Sequence, residues 1–99
     1  MKSVDAILYD LSGKPVSQTD ASDSKPATVG FVAVNALLSP VPGENPSGDE
    51  KAQRYALALR LHPGGEHEFT PEDLALIKKL VGQLYGPLIV GQVFEWAKV

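Results

Sequence analysis

The chain has 99 residues, of which 43% are hydrophobic and 21% charged, enough apolar material for one modest core in one domain, residues 1–99. Its net charge is −3, and Lys and Arg are scattered, densest at Lys78-Lys79, which disfavours binding to a phosphate backbone. The absence of cysteine excludes disulfides, thiol catalysis and thiolate metal sites. Met1 to Asp5 lack the apolar run of a signal peptide, and no stretch has the apolar length that spans a bilayer, so the expectation is a cytosolic protein without membrane partners.

Residues 4–9 are rich in strand formers, and Asp10 to Pro15 is turn chemistry. A strand and tight turn are expected, with Val16-Ser17-Gln18 returning as a second strand. Residues 17–27 are small and polar and read as a flexible loop. Thr28 can cap a helix in which Val29, Val32, Ala33, Ala36 and Leu37 keep an i, i+3, i+4 stripe. A buried strand competes, because Gly30 and the valines weaken helix propensity. Ser39-Pro40 ends that element, and residues 39–48, with three prolines and two glycines, form a second loop.

Ser47 and Glu50 have the spacing of a capping box, opening a helix from about Asp49 to Leu61. Ala52, Tyr55, Ala56 and Leu59 form one stripe on it, widened by Leu57 and Leu61, with Lys51, Arg54 and Arg60 off the stripe. His62-Pro63-Gly64-Gly65 stops it, and Glu66 to Phe69 supplies a short strand expected to pair with residues 6–9. Thr70-Pro71-Glu72-Asp73 combines an N-cap, a proline at the first helical position and carboxylates at the positive helix end. The helix it starts, 71–85, carries Leu74, Ile77, Leu80, Val81 and Leu84 on one face, with Lys78 and Lys79 turned away. Gly86-Pro87 breaks it. Residues 87–98 are apolar nearly all round; a helix is expected and a final strand is the alternative. The fold class is therefore α+β, dominated by about four helices, with a short N-terminal hairpin. Residues 49–85 have an EF-hand-like helix-strand-helix outline that lacks calcium ligands in the required register.

Among candidate chemistries, His62, Glu66, His67 and Glu68 offer metal-binding side chains on one loop, without the spacing of a known metal motif; an exposed polar loop is the simpler account. No Gly-x-Ser-x-Gly elbow and no phosphate-cradling glycine loop is present, and Glu72 and Asp73 are explained by capping. No catalytic residue and no cofactor is assigned. The remaining signal is surface: Leu88, Val90, Val93, Phe94 and Trp96 make a candidate interface in the C-terminal block, where finishing the core is the competing role.

The segments Asp10 to Pro15, Val34 to Leu38, Arg54 to Leu59, Phe69 to Lys78 and Tyr85 to Gln92 resemble a group of small proteins encoded by tailed phages and prophages. The resemblance covers most of the chain outside 17–27. It implies an accessory or assembly protein in a bacterial cytoplasm and brings no site residues with it. The resulting expectation is a non-enzymatic interaction protein acting on a protein partner or on itself. A small regulatory nucleic-acid binder using Lys51, Arg54, Arg60, Lys78 and Lys79 is the alternative.

Overall fold

The computed structural model describes residues 1–18 and 25–98. The helix-dominated α+β class is what it shows. Strand β1 (Lys2–Ser3) is followed by helices α1 (Val29–Leu38) and α2 (Gly48–Leu61), strand β2 (Glu66–His67), and helices α3 (Pro71–Leu84) and α4 (Pro87–Ala97).

Helix starts follow local chemistry. Thr28 accepts from the Phe31 amide and starts α1. Ser47 and Glu50 close a reciprocal capping box on α2, and Thr70 and Asp73 do the same on α3, where Pro71 needs no amide partner. Gly86 precedes Pro87 and α4 without a side-chain cap. Residues 87–97 are thus helical throughout, and the strand alternative for this block falls, as it does for 29–38.

The N-terminal turn forms as expected. Asp10 Oδ1 accepts from the Ser12 and Lys14 amides and the Ser12 hydroxyl, and Gly13 takes φ 88°, a backbone region open chiefly to glycine. Beyond the turn, pairing is discontinuous. Tyr9 bridges Pro15, Ile7 bridges Thr28 and Ser17 bridges Pro26, all antiparallel. The Val16 amide donates to Leu8 O, so the chain returns against residues 8 and 9 only as far as Val16; Ser17 and Gln18 pair with Pro26 and Lys25 instead, and Pro15 supplies no donor to the ladder. Part of the 17–27 loop, residues 19–24, lies outside the described residues.

The second strand has a different partner from the one expected. Glu66 and His67 pair with Ser3 and Lys2, not with residues 6–9. The reason is that residues 6–9 are already engaged. Leu8 N donates to Ala27 O and Val29 N to Ala6 O, while Val4 N reaches Gly65 O at 3.0 Å.

The core gathers Val4, Leu8, Val29, Val32, Ala33, Ala36, Leu37, Leu57, Ala58, Leu61, Ile77, Leu80, Val81 and Val93. Helix α1 is central, packed on both α2 and α3, and α4 packs on α3. All five stripe residues read from the sequence of α1 are buried. On α3 Leu74, Ile77, Leu80 and Val81 are buried, while Leu84 at the last turn is largely exposed.

Helix α2 corrects the sequence reading. Its buried residues are Arg54, Leu57, Ala58 and Leu61, whereas Ala52, Tyr55, Ala56 and Leu59 face solvent. Tyr55 and Leu59 are 58% and 60% exposed. Arg54, read as off the apolar stripe, is only 6% exposed. Its Nη1 donates to Glu44 Oε1 at 2.6 Å, and Lys79 Nζ lies 3.3 Å from the other oxygen. A buried guanidinium is tolerated when a carboxylate meets it, which a hydrophobicity pattern does not foresee. That pair also anchors the proline-rich loop to α2 and α3.

Candidate interaction surface

The C-terminal block is divided by its position on α3. Val93 is fully buried and is a core residue, not an interface one, because its side of α4 packs on α3. Trp96 is half-buried. Its Nε1 donates to Ser3 O at 2.8 Å, and its ring meets Phe69 edge-on at 5.3 Å. Lys2 Nζ donates to the Trp96 and Lys98 carbonyls, closing the C-terminal end of α4 with a cation where the helix dipole is negative. Val90 is half-buried against the core. Leu88 and Phe94 are the members of the expected interface set that stay exposed, and Lys78 Nζ sits 4.8 Å above the Phe94 ring. Gln92 bonds Tyr9 through both amide atoms, from Tyr9 N to Oε1 and from Nε2 to Tyr9 O, so α4 also supports the N-terminal hairpin. The all-round apolar character of this segment is thus mostly used inside the molecule.

The segment carrying His62 and His67 is organised by bonds between side chains and backbone. His67 Nε2 is 2.9 Å from Gly64 O, and the Gly65 amide donates to Asp5 Oδ2 at 3.1 Å. Gly64 has φ 82°, and a Cβ there would stand 2.6 Å from Asp5 Oδ1, so glycine is needed at this crossing. Among the described residues, no three of His, Asp and Glu come together in a group that could hold a metal ion.

Four of the five cations of the nucleic-acid alternative are engaged within the chain. Arg54 points inward to Glu44, and Lys79 meets the same carboxylate. Arg60 donates to Glu68 O at 2.7 Å and lies 3.6 Å from Asp73. Lys78 covers Phe94, and Lys51 borders a cleft at the end of α1. The Glu44 carboxyl is held below its ordinary value, first by the Arg54 hydrogen bond and then by Lys79, against the opposing effect of burial.

What sequence reasoning missed is the outward face of α2. Ala52, Tyr55, Ala56 and Leu59 recur at i, i+3, i+4 and i+7 on the solvent side. A hollow of about 110 Å³ borders it toward α1, lined by Val34, Leu38, Tyr55, Ala58, Leu59 and His62, with Leu38 56% exposed. A larger cleft of about 330 Å³ continues past Leu38 beneath Pro40, Val41 and Pro46. Toward α3 an open cleft is lined by Gln53, Ala56, Arg60, Glu72, Asp73 and Leu76. The signal for this face was present as the stripe itself, which the sequence pattern alone does not place inside or outside.

No helix among the described residues is long and apolar enough to cross a membrane. No protein-family model, curated protein or solved structure matches the chain.

Proposed function

We propose that this chain is a non-enzymatic protein-interaction domain whose contact surface is the outer face of α2 with the adjoining end of α1. One observation carries the reading: of the two stripes on α2, the wholly apolar one, bearing Tyr55 and Leu59, is left in solvent, continuous with exposed Leu38. Exposed apolar patches of this kind, rimmed by polar groups, are characteristic of contact sites on small domains. Lys51, Gln53 and Arg60 supply such a rim. The segment resemblance to small phage and prophage proteins supports an accessory or assembly role in a bacterial cytoplasm.

The test is capture on immobilised protein, comparing wild type with Leu59→Glu and Leu38→Glu. Both positions are exposed, so neither substitution costs core packing. Retention of a partner, or of the chain itself, by wild type and its loss in both variants is expected. Equal retention by all three removes this face as the contact surface. A mobility-shift titration at low and moderate salt addresses the nucleic-acid alternative, since phosphate contacts make affinity fall steeply with salt.

A further inference from the structure

We infer that the occupant of the α2 face is a second copy of this chain, bound about a two-fold axis with the two α2 helices antiparallel. This rests on the interaction reading above and names its partner.

The residues on the outer face complement themselves when one helix is reversed. Centring the crossing between Tyr55 and Ala56 brings Ala52 level with the second copy's Leu59, and Leu59 level with its Ala52. A small side chain thus opposes a large one at both ends of the contact. On one edge of the axis the two Ala56 residues meet, which lets the backbones approach closely. On the other edge each Tyr55 ring projects toward the partner's apolar hollow of about 110 Å³, which Leu38 and Val34 extend from α1. Such a contact is isologous and closes on itself, so it yields a dimer and no filament.

The charges agree with the same orientation. The acidic first turn of α2 carries Asp49 and Glu50, and its last turn carries Arg60. Reversal sets each Asp49 within about one helical turn of the second copy's Arg60 on the same edge. Arg60 already serves Glu68 O and Asp73, yet its side chain is 45% exposed and a guanidinium offers five N–H donors. A parallel arrangement would instead stack like-charged ends. The antiparallel one also opposes the helix dipoles favourably. Lys51 falls on the opposite edge from Arg60 and does not face it.

The contact is one 14-residue helix plus Leu38, so it belongs to the small interface class, below about 1,200 Å², that gives reversible association. Sedimentation equilibrium over about 1 μM to 1 mM therefore brackets the expected dissociation constant. Wild type is expected to pass from monomer to dimer in that range, and Leu59→Glu to stay monomeric, with a circular-dichroism melt that matches wild type at dilute, monomeric concentration. The register has its own readout, because the chain contains no cysteine. In Ala56→Cys the two sulfurs lie about 1.5 Å apart along the axis, and mild oxidation is expected to give a covalent dimer. In Ala52→Cys they are offset by about 10 Å and no cross-link forms. A wild-type chain monomeric at 1 mM overturns the dimer, as does a Leu59→Glu variant that still dimerises or an Ala52→Cys variant that cross-links as fast as Ala56→Cys. If the chain is monomeric but retains a different protein that Leu59→Glu does not, the dimer fails and the interaction reading stands. If it retains none, both fail.

Discussion

Gly30 tests how tightly the N-terminal segment is held against α1. Glycine inside a helix ordinarily costs about 0.8–1.0 kcal/mol relative to alanine, so Gly→Ala there stabilises when the new methyl group has room. At Gly82 on α3 and Gly91 on α4 a Cβ would meet nothing within 4 Å. At Gly30 it would stand 3.1 Å from both Val4 Cβ and Val4 O. Val4 cannot easily retreat. It is 1% exposed, its amide is bonded to Gly65 O, and its carbonyl accepts from the Gly30 amide at 2.8 Å. Overpacking of this kind costs about 1–3 kcal/mol, which exceeds the propensity gain, itself reduced in the first turn of a helix. Gly30→Ala is therefore expected to destabilise by about 1–2 kcal/mol, while Gly82→Ala and Gly91→Ala each stabilise by up to about 1 kcal/mol. For a domain of this size 1 kcal/mol moves the Tm by about 4–8 °C. Thermal melts followed by circular dichroism, with urea titrations as a check, resolve opposite signs from one chemical change. If Gly30→Ala melts above wild type, residue 4 does not lie against α1 as described, and the crossing that seats the N-terminal strand is wrong.

Two helix starts supply matched measurements: Ser47→Ala and Thr70→Ala each remove a reciprocal cap, with an expected loss of about 1 kcal/mol in urea unfolding, and little effect would show that the caps are dispensable. Trp96→Phe deletes the indole donor to Ser3 O while keeping an aromatic ring, and is expected to cost about 1 kcal/mol; unfolding by circular dichroism checks it, since the variant loses the sole tryptophan. The carboxyls of Asp10 and Glu44 are both held below their ordinary values of 3.8 and 4.5, Asp10 chiefly by Ser12 and Glu44 chiefly by Arg54. A depressed folded-state value gives stability that is fully present above the ordinary value and lost as pH falls through the depressed one. Melting temperature should thus be flat near neutrality from these two groups and decline below about pH 4.5, and Asp10→Asn with Glu44→Gln should flatten that decline; an unchanged acid limb in the double variant refutes the assignment.

How far the fold could be read in advance depended on whether local chemistry or tertiary competition decided each element. The starts of α1, α2 and α3 were legible because Thr28, Ser47 and Thr70 satisfy orphan amides with their own side chains, a purely local arrangement. The turn at Asp10 to Pro15 was legible for the same reason. The strand partner was not. Residues 66 and 67 could pair with either 2–3 or 6–9 on propensity alone, and the outcome turned on Ala6 and Leu8 already bonding Val29 and Ala27 across a long separation in sequence. Similarly, α4 was rightly apolar, but only its packing on α3 shows that Val93 is enclosed while Leu88 and Phe94 are not.

Helix α2 is the instructive case, because the expected stripe, 52, 55, 56 and 59 widened by Leu57 and Leu61, is split by burial, which keeps only Leu57 and Leu61 of it. The stripe 52, 55, 56, 59 is apolar without exception, whereas 54, 57, 58, 61 includes an arginine. A pattern argument prefers the first. Burial selected the second, because Glu44 on the proline-rich loop offsets the solvation penalty of Arg54 and, by pairing also with Lys79 on α3, links three segments through one carboxylate. Leu57 and Leu61 are also bulkier than the alanines that make up half of the outer stripe, so the inner face fills more of the core. Once the arginine face is inside, the apolar face has to be outside, and the cost of leaving Tyr55 and Leu59 in water is borne by the isolated chain. That cost is what a bound copy would relieve. The same substitution therefore reads differently in two assays: Leu59→Glu should leave the melting temperature of dilute monomer nearly unchanged and remove the rise in melting temperature with protein concentration that dimerisation imposes on wild type. A concentration-independent wild-type melt up to 1 mM would mean that the outer stripe is solvated without a self-contact, and the two-stripe helix would then need another explanation.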